Sequence, residues 1–241
     1  MAIEDNGVAG QLPEPAGWFV SYSAFRIRAS KLPPEPESAA ALAIGAEQAL
    51  AGVTLRAAYD LTGFRAEADL MLWLIAEEAT ALQAAMRAFR ASNFGSALEL
   101  WWTAIGVHRP AEFNKQHLPA FVEGLEPRDF VCVYPYTRTT EWYLLAAEQR
   151  ARLLGEHGRM GRDYPGVQAN TVAAFGLGDY EWLLAFEADD LAEITDMMRH
   201  LRGAGARAYT ASELPFLTGT RTELPDLIEA AVNPNSLNLS I

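Results

Sequence analysis

The chain has 241 residues, half of them hydrophobic, with 31 acidic against 19 basic side chains and a formal charge of −12. That length accommodates one large or two small globular domains with a real core, and an acidic balance with no Lys/Arg block argues against nucleic acid as a partner. A lone cysteine, Cys132, excludes an internal disulfide and any cysteine-rich metal site.

Residues 1–16 are acidic, carry Pro13 and Pro15 and have no apolar h-region, so they read as a disordered N-terminus and not as a signal peptide. No apolar run approaches the roughly 18 residues of a membrane span, which makes the expected protein soluble and cytoplasmic. Trp18–Arg28 is aromatic and β-branched enough for a strand, and Lys31–Pro36 is a proline-rich break. Glu37–Ala51 reads as an alanine-rich helix, followed by strands over Val53–Leu61 and Asp69–Ala76. Glu77–Arg90 is a helix by the spacing of Leu82, Met86 and Phe89, and Leu98–Val107 is the next strand.

The pattern then returns. Ala68–Arg90 lies without a gap over Tyr180–Arg202 at an offset of 112 residues, with Leu72/Leu184, Ala76/Ala188, Met86/Met198, Arg87/Arg199 and Arg90/Arg202 identical. Acidic pairs, Glu77/Glu78 and Asp189/Asp190, stand at each helix start, where the helix dipole favours them. Each half orders its elements as strand, helix, strand, strand, helix, strand, which predicts two ferredoxin-like α+β units whose antiparallel sheets join in a barrel. The expected division is an N-terminal half over 17–109, a bridging loop over 110–128, a C-terminal half over 129–219 and a tail over 220–241.

Chemistry concentrates in Phe130–Tyr164, where Arg138, Arg150, Arg152, Arg159 and Arg162 gather in an otherwise acidic chain. The helix over Ala146–Arg162 sets His157 on the side of Leu153, Leu154 and Met160. A histidine there is equally readable as a packed core residue. No HExxH, CxxC or paired His–carboxylate spacing supports a protein-only zinc site, whereas a haem iron needs a single protein ligand. Strand alternation puts Cys132, Tyr134 and Tyr136 on one face, and Pro135 predicts that the strand ends or lies at an edge. Arg138 and Trp142 follow, a guanidinium and an indole beside the phenol, suited to an aromatic ligand bearing carboxylates. His117 sits in the bridge, either as a solvated loop residue or as an unligated base working near neutral pH. No nucleophile elbow, Walker loop or GxGxxG is present, and Gly176-Leu177-Gly178 is a hairpin turn.

YPYTRTTEWYLL, EHGRMGRDYPGVQANTVAAFGLGDYEWLLAFEADD and MRHLR, with HRPAEFNKQHLPAF and YDLTGFRAEADLMLW before them, resemble the chlorite-dismutase-like haem proteins, and within them the actinobacterial type of coproheme decarboxylase. The likeness runs from about Trp18 to Gly219. It implies a dimeric α+β barrel fold, a homopentamer, and peroxide-driven conversion of iron-coproporphyrin III, substrate and redox centre together, to haem b. It further implies His157 as axial iron ligand, Tyr134 as the radical-forming tyrosine and His117 as distal base. Arg138 would lie near a propionate and Trp142 near the reacting edge, with Arg207 and Ser212 at positions that bind propionates. Tyr136 stands where other branches carry methionine. An iron-inserting coproporphyrin ferrochelatase is the expected upstream partner. The competing classes are a general haem peroxidase, a chlorite-degrading enzyme and a non-enzymatic haem-binding protein. Chlorite chemistry in this family uses an arginine on a strand after the axial helix, and Val167–Ala188 contains none.

Overall fold

The computed structural model describes residues 17–32, 39–110, 112 and 118–233. The expected disorder of residues 1–16 and the predicted base His117 lie outside these. The N-terminal half runs β1 (Phe19–Ile27), α1 (Ala39–Leu50), β2 (Thr54–Asp60), β3 (Leu70–Ala76), α2 (Ala79–Ala91), a single turn α3 (Asn93–Ser96) and β4 (Leu98–Val107). The C-terminal half runs β5 (Phe130–Arg138), α4 (Thr140–Leu144), α5 (Ala147–Gly161), β6 (Gln168–Ala173), β7 (Trp182–Ala188), α6 (Leu191–Leu201), β8 (Thr210–Ser212), β9 (Leu217–Thr222) and α7 (Leu224–Val232).

The strands pair antiparallel in the order β7-β6-β4-β1-β3-β2-β9-β5-β8, and a further β7–β5 pairing closes every strand but β8 into a ring. The halves contribute β4-β1-β3-β2 and β9-β5-β7-β6 and meet at two short seams, β2–β9 and β4–β6. This is the α+β barrel of two ferredoxin-like units that the repeat predicts. β3 shows how alternation builds it: Leu70, Leu72, Leu74 and Ala76 face the helix layer of the first half, while Met71, Trp73 and Ile75 face the barrel interior. With helices outside and side chains inside, every residue of β3 is buried.

The interior also holds a charge. Glu187 on β7 is fully buried and accepts from Arg56 of β2 at 2.8 Å and from Asn170 of β6 at 2.9 Å. Asn170 in turn accepts from the Phe121 amide, and Arg56 donates to the Leu125 carbonyl, so the network also pins the end of the bridge.

Strand register corrects the repeat by one residue. Ala76 and Ala188 are 112 apart, but their partners Phe19 and Phe130 are 111 apart. Tyr134 therefore corresponds to Ser23 on the outer face, and Tyr22 points into the barrel. Of the two readings of Pro135, the strand end fails and the edge holds: the proline pairs with Leu183, and on its other side it falls between the end of the β9 ladder at Val133 and the β8 pairing at Thr137. The ladder is already interrupted where the N–H is missing. Nor is 220–233 a tail. β9 continues to Thr222, and α7 buries Leu224, Leu227 and Ile228 in the helix layer of the first half.

Candidate active site

β5 runs through the centre of the C-terminal half, and its alternation sends Cys132, Tyr134 and Tyr136 to the outer face beneath α6. Tyr134 is 6% exposed. Its ring stacks on Phe216 at 4.6 Å and lies 5.9 Å from Phe186, and among the described residues its hydroxyl reaches only the Met198 sulfur, at 3.7 Å. Burial raises its pKa far above the usual phenol range, reinforced by neighbouring Cys132 and Glu213. The side chain is a neutral phenol held by aromatic and thioether contacts. Cys132 beside it is buried, its thiol pushed up to about 11 by burial, and it is unreactive by that measure.

Two residues on, Tyr136 stacks on Trp182 at 6.2 Å with the planes 12° apart. Arg138 ends the strand. Its guanidinium lies 5.0 Å from the Tyr136 ring centre and 4.2 Å from that of Trp142, and it donates to the Ala206 carbonyl at 3.0 Å. No carboxylate pairs with that guanidinium among the described residues. Trp142, on α4, is buried.

His157 lies on α5, and α5 is unlike its counterpart. α1 is alanine-rich and sinks five residues into the core: Ala39, Leu42, Ala43, Ala46 and Leu50. α5 has an apolar side, with Leu153, Leu154, His157 and Met160, yet buries none of its residues. A helix whose apolar stripe is only half-buried, and not sunk in a core, can accept a flat, largely apolar group along that stripe. Half-buried His157 has its pKa lowered, first by burial and then by the Arg138 charge, so the imidazole is neutral with a free lone pair. No three His, Cys, Asp or Glu side chains converge among the described residues, so a metal here would draw its remaining ligands from a non-protein group.

The structure thus brings Tyr134, Tyr136, Arg138, Trp142 and His157 to one side of the C-terminal half. Arg207 and Ser212 lie at its border. Arg207 is already paired with Glu213 at 2.6 Å, which also binds Arg202, and Ser212 is exposed on β8 beside the end of β5. Sequence reasoning missed Phe216, Glu213, Trp182 and Glu181. Glu181 accepts from the Arg138 amide at 2.7 Å and from the Tyr143 hydroxyl at 2.6 Å. Repeat alignment could have flagged Met198, but nothing in the sequence pairs Phe216 with Tyr134.

Comparison with known proteins completes the description. Residues 37–222 match the family model described as chlorite dismutase. The chain belongs to the chlorite dismutase family. Within it, the chain is 51% identical over 178 residues to the coproheme decarboxylase of Mycolicibacterium smegmatis, an alignment covering 73% of this chain and 77% of that protein. Among solved structures, a chlorite dismutase from Candidatus Nitrospira defluvii in complex with imidazole superposes with a TM-score of 0.80 at 20% identity, over 89% of this chain and 95% of that one. An arginine-to-lysine variant of the same enzyme gives 0.81 at 20% identity, over 90% and 96%. At such identity these two speak for the fold alone. No helix among the described residues is long and apolar enough to cross a membrane.

Proposed function

We propose that this protein is a hydrogen peroxide-dependent haem synthase, an oxidoreductase that oxidatively decarboxylates two propionates of iron-coproporphyrin III to vinyls, giving haem b. The observation that carries the reading is the half-buried apolar side of α5, where neutral His157 lies in the field of Arg138, a guanidinium that meets no carboxylate among the described residues, with the buried phenol of Tyr134 on the same side of this half. The identity with the mycolicibacterial coproheme decarboxylase supports it.

His157 would hold the iron through its free imidazole nitrogen. When bound, the iron porphyrin supplies oxidising equivalents drawn from hydrogen peroxide. His117 would accept the peroxide proton, a role suited to an imidazole near neutral pH. Arg138 would bind a propionate carboxylate, its plane already fixed by Tyr136 and Trp142 and its charge not spent on an acid. Arg207 and Ser212 would take a second propionate at the border, Arg207 by sharing itself with Glu213. Tyr134 stands as a neutral phenol, and on oxidation it would give its electron to the iron porphyrin and its proton to solvent. The neutral phenoxyl so formed would take a hydrogen atom from the propionate β-carbon. Loss of one more electron and of carbon dioxide then leaves the vinyl group.

The same reading places the protein in the cytoplasm, as a homopentamer that receives coproheme from a coproporphyrin ferrochelatase. Incubating it with iron-coproporphyrin III and peroxide and following product masses tests the reading. Stepwise loss of two carboxyl groups supports it. Porphyrin that stays intact while a reductant is oxidised points to a general peroxidase, oxygen release from chlorite to a chlorite-degrading enzyme, and no turnover to a carrier.

A further inference from the structure

The aromatic rings of the site do not end at Tyr136. Trp182, stacked on it, is 5.3 Å from Phe175 at an interplanar angle of 83°, and Phe175 is 6.2 Å from Tyr143 at 74°. These separations and edge-on angles are those of aromatic rings in contact. Trp182 also bears on the Tyr143 phenol, opposing the rise in its pKa that burial and Glu181 cause. A continuous set of side chains therefore leads from Tyr136, two residues along the same face of β5 from Tyr134, to a tyrosine that is 42% exposed. Its hydroxyl is not left to water: it donates to Glu181 Oε2 at 2.6 Å, well within reach for proton transfer. Leu144, 78% exposed, and Phe175, 49% exposed, surround it with apolar surface. A fold that needs only packing has little use for an exposed phenol bonded to a carboxylate at the end of such a chain.

We propose that Tyr143 is a second oxidation site at the surface, where phenolic or aromatic-amine reductants too bulky for the porphyrin pocket give up electrons that travel through Trp182 and Tyr136 to Tyr134. The idea rests on the oxidative role proposed above. The balance is simple. As an electron leaves Tyr143 for the Tyr134 phenoxyl, the Tyr143 proton passes to Glu181, and Tyr134 takes a proton from water in the pocket and becomes phenol again. The Tyr143 phenoxyl then takes an electron from the bulky phenol, the proton returns from Glu181, and the donor's own proton goes to solvent. Peroxide is the oxidant: one molecule and two donor molecules give two waters and two donor radicals. The apolar rim of Leu144 and Phe175 would seat the donor's ring.

The test uses the full chain loaded with iron-coproporphyrin III, treated with peroxide and the spin trap 2-methyl-2-nitrosopropane, with adducts located by peptide mass spectrometry. The parent protein should carry an adduct on Tyr143. Glu181→Gln, which loses the proton acceptor, should carry less of it. Tyr143→Phe should still make haem b but lose oxidation of a phenol tethered to dextran, which cannot enter the pocket. Haem b formation with no adduct on Tyr143, or dextran-phenol oxidation undiminished in Tyr143→Phe, overturns this proposal and leaves the decarboxylase reading standing. Absence of both haem b and any tyrosyl adduct overturns the two together.

Discussion

Replacing Glu187 with leucine breaks the buried Arg56–Glu187 pair that ties the two halves together. Glu187 Oε2 accepts from Arg56 Nη2 at 2.8 Å and Asn170 Nδ2 at 2.9 Å, and Tyr59 donates to Oε1 at 3.3 Å. The Arg56 side chain is 7% exposed and its guanidinium lies 4.9 Å from the Trp73 ring centre, so it cannot turn to water when its partner is lost. Leucine would fit the space but strand that cation, at a cost of about 3–5 kcal/mol, typical of breaking a buried pair from one side. An exposed pair such as Arg128–Asp189 would cost at most about 1 kcal/mol. For a chain of this size each kcal/mol moves the midpoint by about 2–4 °C, so Glu187→Leu should melt roughly 6–20 °C lower. The double variant Arg56→Met/Glu187→Leu removes both charges and should regain much of that loss. Thermal melts followed by circular dichroism measure both. A single variant melting within about 2 °C of the parent would refute the reasoning, because the pair would then be worth no more than a surface contact.

His157→Ala should bind coproheme at least about a hundredfold more weakly, a loss on the order of 3 kcal/mol, with a changed Soret band; an unaltered spectrum removes His157 as ligand. Arg138→Gln should weaken coproheme binding by roughly 10- to 150-fold, as a charge-assisted bond to a propionate is worth about 1.5–3 kcal/mol. The same variant predicts a pH effect. Burial and the Arg138 charge hold the His157 pKa below 6.5, so in the parent the ring stays neutral as pH falls through that value and takes its proton only at lower pH. Above 6.5 the ring is neutral folded or unfolded and contributes nothing to stability; below it the unfolded chain takes the proton first, so the porphyrin-free protein loses stability as pH falls. Removing the Arg138 cation raises the His157 pKa and should move the acid limit of coproheme binding upward. Soret titrations of parent and variant from acid to neutral pH would show the limit unmoved if Arg138 does not act on His157.

Much of the fold was legible because duplication writes the same alternation twice. Leu72/Leu184 and Ala76/Ala188 mark equivalent positions on β3 and β7, and the acidic starts of α2 and α6 locate both helices. The one-residue slip between β1 and β5 was not legible, since Tyr22 and Tyr134 align at an offset of 112 and look like a matched pair. Only pairing to β3 and β7 shows that one faces the barrel interior and the other the helix layer. α7 was missed because it is only nine residues long and follows a segment that already looked complete. At the candidate site, the residues that the sequence proposes lie near one another in the chain: Tyr134, Arg138, Trp142 and His157. Phe216 and Glu213 reach it from the β8–β9 connection beside β5, and Glu181 from the β6–β7 turn. Such partners are set by register, which no local pattern reports.

The most direct measurement of the central claim is product formation by Tyr134→Phe. Phenylalanine keeps the ring that stacks on Phe216 and removes only the hydroxyl, whose sole described contact is the Met198 sulfur. The variant should fold, bind iron-coproporphyrin III with the parent's Soret band and consume peroxide. Mass spectrometry should then find no haem b and no singly decarboxylated porphyrin. Haem b appearing at the parent's rate would contradict the role given to Tyr134 and, with it, the mechanism built on this pocket.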